Sequence, residues 1–321
     1  MSDTSFQGFA SGWFLVCFSE ELAVGEVKPV TFFGKELVLF RTAAGQAKVL
    51  DAYCPHMGAH LGYGGVVDGE SVRCPFHAWE FNGDGECTTI PYATKIPPRA
   101  KIDCWPVDEH DGMLFVWHDR AKGAPTWNIP AVEGHGTPDW TPWSFGQIIV
   151  KTHPREIVEN VVDVGHFIPV HGTHVDTISN EFVGHMATQI NSGTAYPLGG
   201  GKDKYSLRAT YHGPGWQYTH MKGYLESHLI NAHTPIDENT LLLRFAVSVR
   251  KRDGIVLDEA FLAKYVENLR QGFFQDIRIW ENMHTKDHPV LCDADGPLIK
   301  LRQWYRTFYQ PEAKRMEALH G

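Results

Sequence analysis

The sequence predicts an α+β protein, in which an all-β region is followed by an antiparallel sheet with helices packed against it. Residues 12 to about 118 read as short β-type runs separated by glycine-containing turns. Helix-period segments then bracket further strands, the order typical of an α+β domain. A stretch rich in proline, glycine and tryptophan, residues 121–142, separates the two regions. We therefore expect two domains, residues 11–120 and 121–321.

The β-type runs of the first region are brief and lie at residues 31–33, 36–41, 47–50 and 113–117. No long helical period interrupts them, so they predict a compact all-β module.

The second region is predicted to mix helices at about residues 155–167 and 257–283 with strands near residues 205–212, 223–233 and 240–250. Pro154 suits the first position of the first helix, and Pro169 should end or distort that helix. The second helix carries an apolar stripe at three- and four-residue spacing, formed by Leu262, Val266, Leu269, Phe273, Ile277 and Trp280.

Composition narrows the class of protein. The chain has 321 residues, of which 43% are hydrophobic and 12% aromatic, as expected of a folded core. The formal net charge of −9 argues against a nucleic-acid binder, which would carry a basic stripe. The first residues lack a secretion signal, and no apolar run approaches the roughly 18 residues of a membrane span. We therefore expect a cytoplasmic protein that does not bind membranes.

The six cysteines are expected to be free thiols or metal ligands, because this is a large chain without an export signal. Four of them are predicted to be small buried hydrophobic residues: Cys17, Cys87, Cys104 and Cys292.

The other two cysteines belong to mixed pairs. Cys54 and His56 form a C-x-H pair, and Cys74 and His77 form a C-x2-H pair seventeen residues further on. In a Rieske [2Fe-2S] cluster, two cysteines hold one iron and two histidines hold the other. The alternatives are a structural Cys2His2 zinc site, which normally pairs cysteine with cysteine, or loops without metal. His60 has the wrong spacing for a ligand.

A second cluster of potential metal ligands begins at His166 and His171. On a straight helix these side chains would point about 140° apart, but Pro169 breaks the helix and lets His171 return. An iron held by two histidines needs one carboxylate, with positions left open for oxygen and substrate. Asp276 at the edge of the apolar stripe is the first candidate and Glu281 the second, because a carboxylate near a core needs a partner. Alternatively, Asp276 is a partly solvated rim residue.

Together the two sites resemble the α subunits of Rieske non-haem iron oxygenases over nearly the whole chain. Asn160, Asp163, His166 and His171 match the N-x2-D-x2-H-x4-H iron motif of that family. Five later stretches resemble the 3-ketosteroid 9α-hydroxylase oxygenase group and the related animal sterol 7-desaturases: residues 211–216 (YHGPGW), 231–235 (NAHTP), 275–281 (QDIRIWE), 295–297 (DGP) and 302–305 (RQWY).

The resemblance implies a Rieske domain followed by a helix-grip-like catalytic domain with mononuclear Fe(II). It places Asp276 as the iron carboxylate. It implies that Asp163 bridges the two centres, accepting hydrogen bonds from His166 and from the His77 of a neighbouring subunit. Asn160 either hydrogen-bonds near the iron or caps local structure.

The same resemblance implies O2 as co-substrate and electrons drawn from NAD(P)H through a reductase, with or without a ferredoxin. It also implies a homotrimer and hydroxylation of a hydrophobic steroid- or sterol-like polycycle. Desaturation or oxidative demethylation of a related polycycle, or oxygenation of an aromatic or heterocyclic compound, remain alternatives. Two alternatives come from other classes of protein. A Rieske electron-transfer protein would leave the second site without a role, and a zinc-stabilised binding module would be colourless and hold two tightly bound zinc ions.

Overall fold

The computed structural model describes residues 6–195, 203–251 and 258–311. Its N-terminal strands form three antiparallel sheets, with strand orders β1-β11-β10, β2-β3-β4-β9 and β5-β6-β7-β8. In chain order these strands are β1 (Gly12–Phe18), β2 (Val27–Phe32), β3 (Lys35–Arg41), β4 (Ala47–Asp51), β5 (Val66–Asp68), β6 (Ser71–Arg73), β7 (Glu80–Asn82), β8 (Cys87–Thr89), β9 (Cys104–Trp105), β10 (Val107–His110) and β11 (Met113–His118).

Strand β3 lies between two hydrophobic cores of the N-terminal region. Successive side chains of a strand point to opposite faces. Leu37 and Leu39 enter the main core, while Val38 and Phe40 pack into a second core with Cys54. Both faces are therefore buried, and the strand reads as a continuous apolar run.

The runs predicted at residues 36–41, 47–50 and 113–117 are confirmed as β3, β4 and β11. The run predicted at residues 31–33 overlaps the end of β2, but it extends into the hairpin turn. There Phe33 and Gly34 have φ angles of 55° and 66°. Two successive positive φ values are typical of the turn that matches the twist of a hairpin.

The C-terminal region is one seven-stranded antiparallel sheet of order β12-β18-β17-β16-β15-β14-β13. Its strands are β12 (Ser144–Val150), β13 (His174–Val183), β14 (Met186–Ala195), β15 (Asp203–His212), β16 (Trp216–Lys222), β17 (Ser227–Asp237) and β18 (Thr240–Val249). The helices are α1 (Pro154–Glu159), α2 (Phe167–His171), α3 (Glu259–Trp280) and α4 (Leu298–Thr307). The α+β class is confirmed.

The strands predicted in this sheet are found as β15, β17 and β18, although β17 begins four residues later than expected, at Ser227. Strands β12, β13, β14 and β16 were not predicted. Strand β13 shows the reason: it lies at the edge of the sheet and its side chains alternate between exposed and half-buried. An edge strand needs few apolar residues, so it leaves a weak signal in the sequence.

The continuous helix predicted over residues 155–167 is wrong. Helix α1 starts at Pro154 as expected, but it ends at Glu159, and α2 starts only at Phe167. Pro169 does not end a helix; it lies in the first turn of α2, where a missing N–H costs nothing because first-turn N–H groups have no partner within the helix. The break comes earlier, in residues 160–166.

The long C-terminal helix is shorter than the predicted 257–283. The side chain of Asp258 caps α3 by accepting a 2.7 Å hydrogen bond from the N–H of Phe261, and residue 257 lies outside the described residues. The apolar stripe packs on the sheet as expected, with Ile277 and Trp280 against Leu243.

All six cysteines are free. Cys17 is buried as predicted and Cys87 is half-buried, but the prediction is wrong for Cys104 and Cys292, which are exposed. Cys104 lies in the two-residue strand β9, and Cys292 lies in a turn closed by Asp295.

The two regions share one hydrophobic core, which contains side chains from β1, β11, β17 and α4. The hydroxyl of Thr234 in β17 donates to the carbonyl of Leu15 in β1 at 2.6 Å. Among residues 6–195, 203–251 and 258–311, no helix combines the length and the apolar character needed to cross a bilayer.

Candidate metal centres

The first centre is formed by two loops, one after β4 and one between β6 and β7. In the first loop, the N–H of Cys54 donates to the carbonyl of Ala59 and the N–H of Gly58 donates to the carbonyl of Cys54, both at 2.9 Å. The second loop repeats this closure, with the N–H of Cys74 donating to the carbonyl of Trp79 at 2.8 Å. Each cysteine is thus fixed at the base of a tight loop.

The four side chains predicted as cluster ligands meet between these loops. The imidazole centroids of His56 and His77 lie 4.4 Å apart, with the rings inclined at 73°. Cys54 and Cys74 are 2% and 3% exposed. Burial raises the pKa of the Cys54 thiol to about 11, and the neighbouring Cys74 adds to this shift. A thiol in this environment ionises when it binds a metal cation.

The donor set fits a [2Fe-2S] cluster. Two buried sulfur atoms and two imidazoles face one another from opposite loops, as a Rieske centre requires. The Nδ1 atom of His56 is buried without a hydrogen-bond partner, so it is available as a ligand atom.

Two aromatic residues that the sequence analysis left without a role support this loop pair. The indole of Trp79 stacks on His56 at a centroid distance of 4.6 Å and an angle of 7°. Its Nε1–H donates to the Tyr92 hydroxyl at 2.8 Å. In the sequence CPFHAW, Trp79 lies two residues after the ligand His77, and this proximity is the signal that could have indicated its role. His60, excluded by its spacing, instead accepts from the N–H of Gly62 at 2.9 Å.

The second centre brings together His166, His171 and Asp276. One potential ligand atom from each lies within 4.8 Å of the other two. Nε2 of His171 is 3.3 Å from Oδ1 of Asp276, and the two imidazole centroids are 5.1 Å apart. His166 is the N-cap of the five-residue helix α2 and His171 is its last residue, and α2 packs against α3, which carries Asp276. Tertiary packing therefore unites ligands that are distant in sequence.

Two nitrogen ligands and one carboxylate in this arrangement fit a non-haem Fe(II) site with open positions. Asp276 is buried, with 7% of its surface exposed. Because its side chain is buried, Asp276 is not a solvated rim residue. The hydrogen bond between His171 and Asp276 raises the pKa of His171 above its usual value, burial of the imidazole lowers it, and the hydrogen bond with Gln275 raises it further.

Asn160 has both roles that the sequence left open. It is the C-cap of α1, and its Nδ2–H donates to Oδ2 of Asp276 at 3.3 Å. The amide thus holds the carboxylate oxygen that does not face His171.

Asp163 lies beside His166. Its Oδ2 is 3.3 Å from Nδ1 of His166, and its Oδ1 accepts from the N–H of Gly165 at 3.0 Å. The contact with His166 lowers the pKa of Asp163. The side chain is 52% exposed, so a partner could reach it from outside.

Glu281, the second candidate for the carboxylate, does not join the histidines. It follows α3 as its C-cap, and its Oε1 accepts from the N–H of Lys151 at 3.1 Å.

A cavity of about 350 Å³ reaches the second centre. Its walls include His166, Asp276 and Asp163. Its lining also includes exposed apolar side chains that the sequence analysis did not single out: Ile279, Met283, Val290 and Leu291.

The fold and the two centres define a Rieske non-haem iron oxygenase. The chain belongs to the 3-ketosteroid 9α-hydroxylase group of this family. The Rieske [2Fe-2S] domain family matches residues 12–106, and the 3-ketosteroid 9α-hydroxylase C-terminal domain family matches residues 116–309.

Individual relatives agree with this assignment. The chain is 38% identical to a 3-ketosteroid-9-alpha-monooxygenase oxygenase component of Rhodococcus rhodochrous, over 98% of this chain and 86% of the relative. The protein of the same description from Mycobacterium tuberculosis is 34% identical, over 94% and 82%. A cholesterol 7-desaturase of Ciona intestinalis is 30% identical, over 96% and 70%.

Solved structures share the fold at lower identity. Dicamba monooxygenase superimposes with a TM-score of 0.76 at 19% identity, covering 95% of this chain and 98% of the other. NdmA of Pseudomonas putida CBB5, solved with caffeine, gives 0.77 at 20% identity, covering 96% and 93%.

Proposed function

We propose that this protein is the terminal oxygenase component of a Rieske system, which uses O2 to hydroxylate a steroid- or sterol-like polycycle. The observation that carries the proposal is the convergence of His166, His171 and Asp276 beside the half-exposed Asp163. An electron-transfer protein has no use for this second centre.

Cys54, Cys74, His56 and His77 would hold the [2Fe-2S] cluster. His166, His171 and Asp276 would hold the mononuclear Fe(II). When bound, these groups supply one-electron transfer and oxygen activation, respectively.

The chain's own residues prepare the iron site. Asn160 holds the outer oxygen of Asp276, which directs the inner oxygen toward His171. Asp163 lies at Nδ1 of His166, so it orients this ring with Nε2 toward the centre.

We propose a homotrimer in which the Rieske loops of one subunit dock beside Asp163 of the next. Both surfaces expose apolar side chains: Met57 and Phe76 on the cluster loops are 65% and 60% exposed, and Val290 beside the iron cavity is fully exposed. Docking would cover them and bring His77 to the carboxylate of Asp163. A reductase, with or without a ferredoxin, would supply electrons from NAD(P)H.

We also propose that the chain divides into two domains, residues 11–120 and 121–321. The cytoplasmic location remains a prediction.

The relatives named for 3-ketosteroids and cholesterol favour a polycyclic substrate. The 38% identity to a monooxygenase component supports hydroxylation as the first candidate. The 30% identity to a cholesterol 7-desaturase supports desaturation as the second. Both outcomes begin with attack on a C–H bond, so the same metal centre serves either.

The test is a metal assay followed by turnover. Anaerobically purified protein should contain about three irons and two sulfides per chain. With a surrogate reductase, NADH and O2, it should convert a 3-ketosteroid to a product one oxygen atom heavier. A product two hydrogens lighter would instead establish desaturation.

The variant Asp276→Ala is the matched control. It should keep the cluster, lose the third iron and form no product. Two irons and two sulfides in the unaltered protein, unchanged after Fe(II) is added, would overturn the oxygenase proposal in favour of an electron carrier.

A further inference from the structure

The two edges of the His171 imidazole face different partners. Nε2 lies 3.3 Å from Oδ1 of Asp276 and is therefore directed into the centre. Nδ1, on the other side of the ring, lies 3.0 Å from Oε1 of Gln275. The ring can bind a metal through Nε2 only if the proton is on Nδ1, and Nδ1–H then needs an acceptor.

Gln275 is positioned by the helix that supplies the carboxylate. It directly precedes Asp276 in α3. The same helix turn therefore places a metal ligand and a hydrogen-bond acceptor side by side, next to the end of α2. His171 is the last residue of α2, and Gly172 reverses the chain there with a φ angle of 63°. The imidazole thus lies against α3 with its two nitrogens matched to two successive side chains.

The two histidines of the centre differ in this respect. Nδ1 of His166 faces the carboxylate of Asp163, whereas Nδ1 of His171 faces the amide of Gln275. A glutamine oxygen accepts the Nδ1–H without adding a charge beside the metal. The partner of a ligating imidazole fixes its tautomer and its orientation.

We infer that Gln275 is the positioning residue of His171, and that its amide oxygen holds the imidazole with Nε2 directed at the mononuclear metal. The inference rests on the proposed iron site and adds a residue to it. It also assigns the two halves of the site different partners, a carboxylate for one histidine and a neutral amide for the other.

The chain offers a matched control one turn earlier in the same helix. Gln271 is also exposed on α3, but its amide donates to the carboxylate of Glu267 and not to a histidine. The same substitution at Gln271 and at Gln275 therefore changes an exposed glutamine of the same helix in both cases. Only the substitution at Gln275 removes the hydrogen-bond acceptor of His171.

The experiment measures Fe(II) binding to the mononuclear site of the protein with its cluster intact. Gln275→Leu should weaken Fe(II) binding by roughly 10- to 100-fold, the usual effect of losing such a partner. The electron paramagnetic resonance spectrum of the ferrous nitric oxide adduct should change shape, because the ring is no longer held in one orientation. Gln271→Leu should alter neither measurement.

Gln275→Glu is the conservative variant, since a carboxylate oxygen also accepts from Nδ1–H. It should restore Fe(II) binding to within a few-fold of the unaltered protein.

A Gln275→Leu protein that binds Fe(II) as tightly as the Gln271→Leu control, with an unchanged spectrum, would overturn the inference and leave the proposed function intact. A folded Gln275→Glu protein that binds as weakly as Gln275→Leu would also overturn it. If the unaltered protein binds no mononuclear iron at all, the proposed function itself fails.

Discussion

At the scale of single residues, Asp163 shows how one side chain can serve two centres. Its carboxylate touches Nδ1 of His166 while half of the side chain faces solvent. A carboxylate used only to orient His166 would not need to be exposed. The exposure suits a residue that also receives a donor from another subunit, as the resemblance implied for His77.

We predict that Asp163→Ala, assayed with Fe(II) in excess so that both metals are bound, lowers turnover by about 100-fold or more, because the iron ligands remain while the path between subunits is lost. Metal content and product formation are measured on the same sample. Asp176→Ala is the control, since Asp176 pairs on the surface with Lys204 at 2.7 Å and should be dispensable. Substantial product from Asp163→Ala would contradict the bridging role.

The sequence analysis named the ligands of both centres but not every residue that orients them. Gln275 is an exposed residue of α3, and glutamine is common at exposed helix positions. Its partner is 104 residues away in the chain. No local pattern connects them, so its role depends on how α2 docks on α3.

At the scale of elements, helix α1 is held in place by ion pairs that are largely shielded from solvent. Arg302 of α4 forms two hydrogen bonds to Glu159 at the end of α1, at 2.7 and 2.9 Å. Arg155 of α1 lies 3.2 Å from the same carboxylate. Glu159 directly precedes Asn160, so this network fixes the end of the helix from which the iron site begins.

We predict that Arg302→Leu destabilises the fold by about 3 kcal/mol, because the Glu159 carboxylate, with only 15% of its side chain exposed, loses its bidentate partner. Burial already raises the pKa of Glu159, and Arg302 counteracts that shift. The free energy of unfolding is measured in urea.

Lys101→Leu is the control for Arg302→Leu. It removes the pair between Lys101 and Glu86, whose side chains are 63% and 57% exposed. Its cost should stay below about 1 kcal/mol. Equal losses from the two variants would contradict the importance of the buried network.

At the scale of the whole molecule, several histidines are enclosed away from both metal centres. Burial lowers the pKa of His228 and His233 to about 4. His228 stacks on Trp140 at a centroid distance of 3.7 Å, and the Nε2–H of His233 donates to the carbonyl of Pro214 at 2.9 Å. Burial also lowers the pKa of His118 and His212 to about 4.

These histidines make stability depend on pH. The unfolded chain binds their protons below a pH of about 6.5, whereas the folded chain does so only near 4. Unfolding therefore takes up protons in this window, and stability falls as the pH falls through it. We predict a loss of up to about 1.4 kcal/mol per pH unit for each fully buried histidine.

The measurement is urea unfolding at several pH values between about 7 and 5. His228→Phe keeps the stacking on Trp140 and removes one proton site, so its stability should fall less steeply with decreasing pH. His284→Phe, at an exposed position, is expected to leave the slope unchanged. An unchanged slope in His228→Phe would contradict the prediction.

The sequence by itself determined the α+β class, the cysteine–histidine pairs and the order of the two centres. These features are local: ligand pairs lie within single loops, and apolar periods lie within single elements. The same locality explains the errors. The predicted helix over residues 155–167 extended a local period through the break at residues 160–166, and the edge strand β13 left almost no apolar signal.

Only the tertiary structure decided which carboxylate faces the histidines, and which side chains hold them. It placed Asp276 within reach of His171 and turned Glu281 toward Lys151, although both lie near the end of α3. The physical reason is that a metal centre needs ligand atoms within a few ångströms of one another. Packing of α1, α2 and α3 on the sheet sets those distances, and spacing along the chain does not.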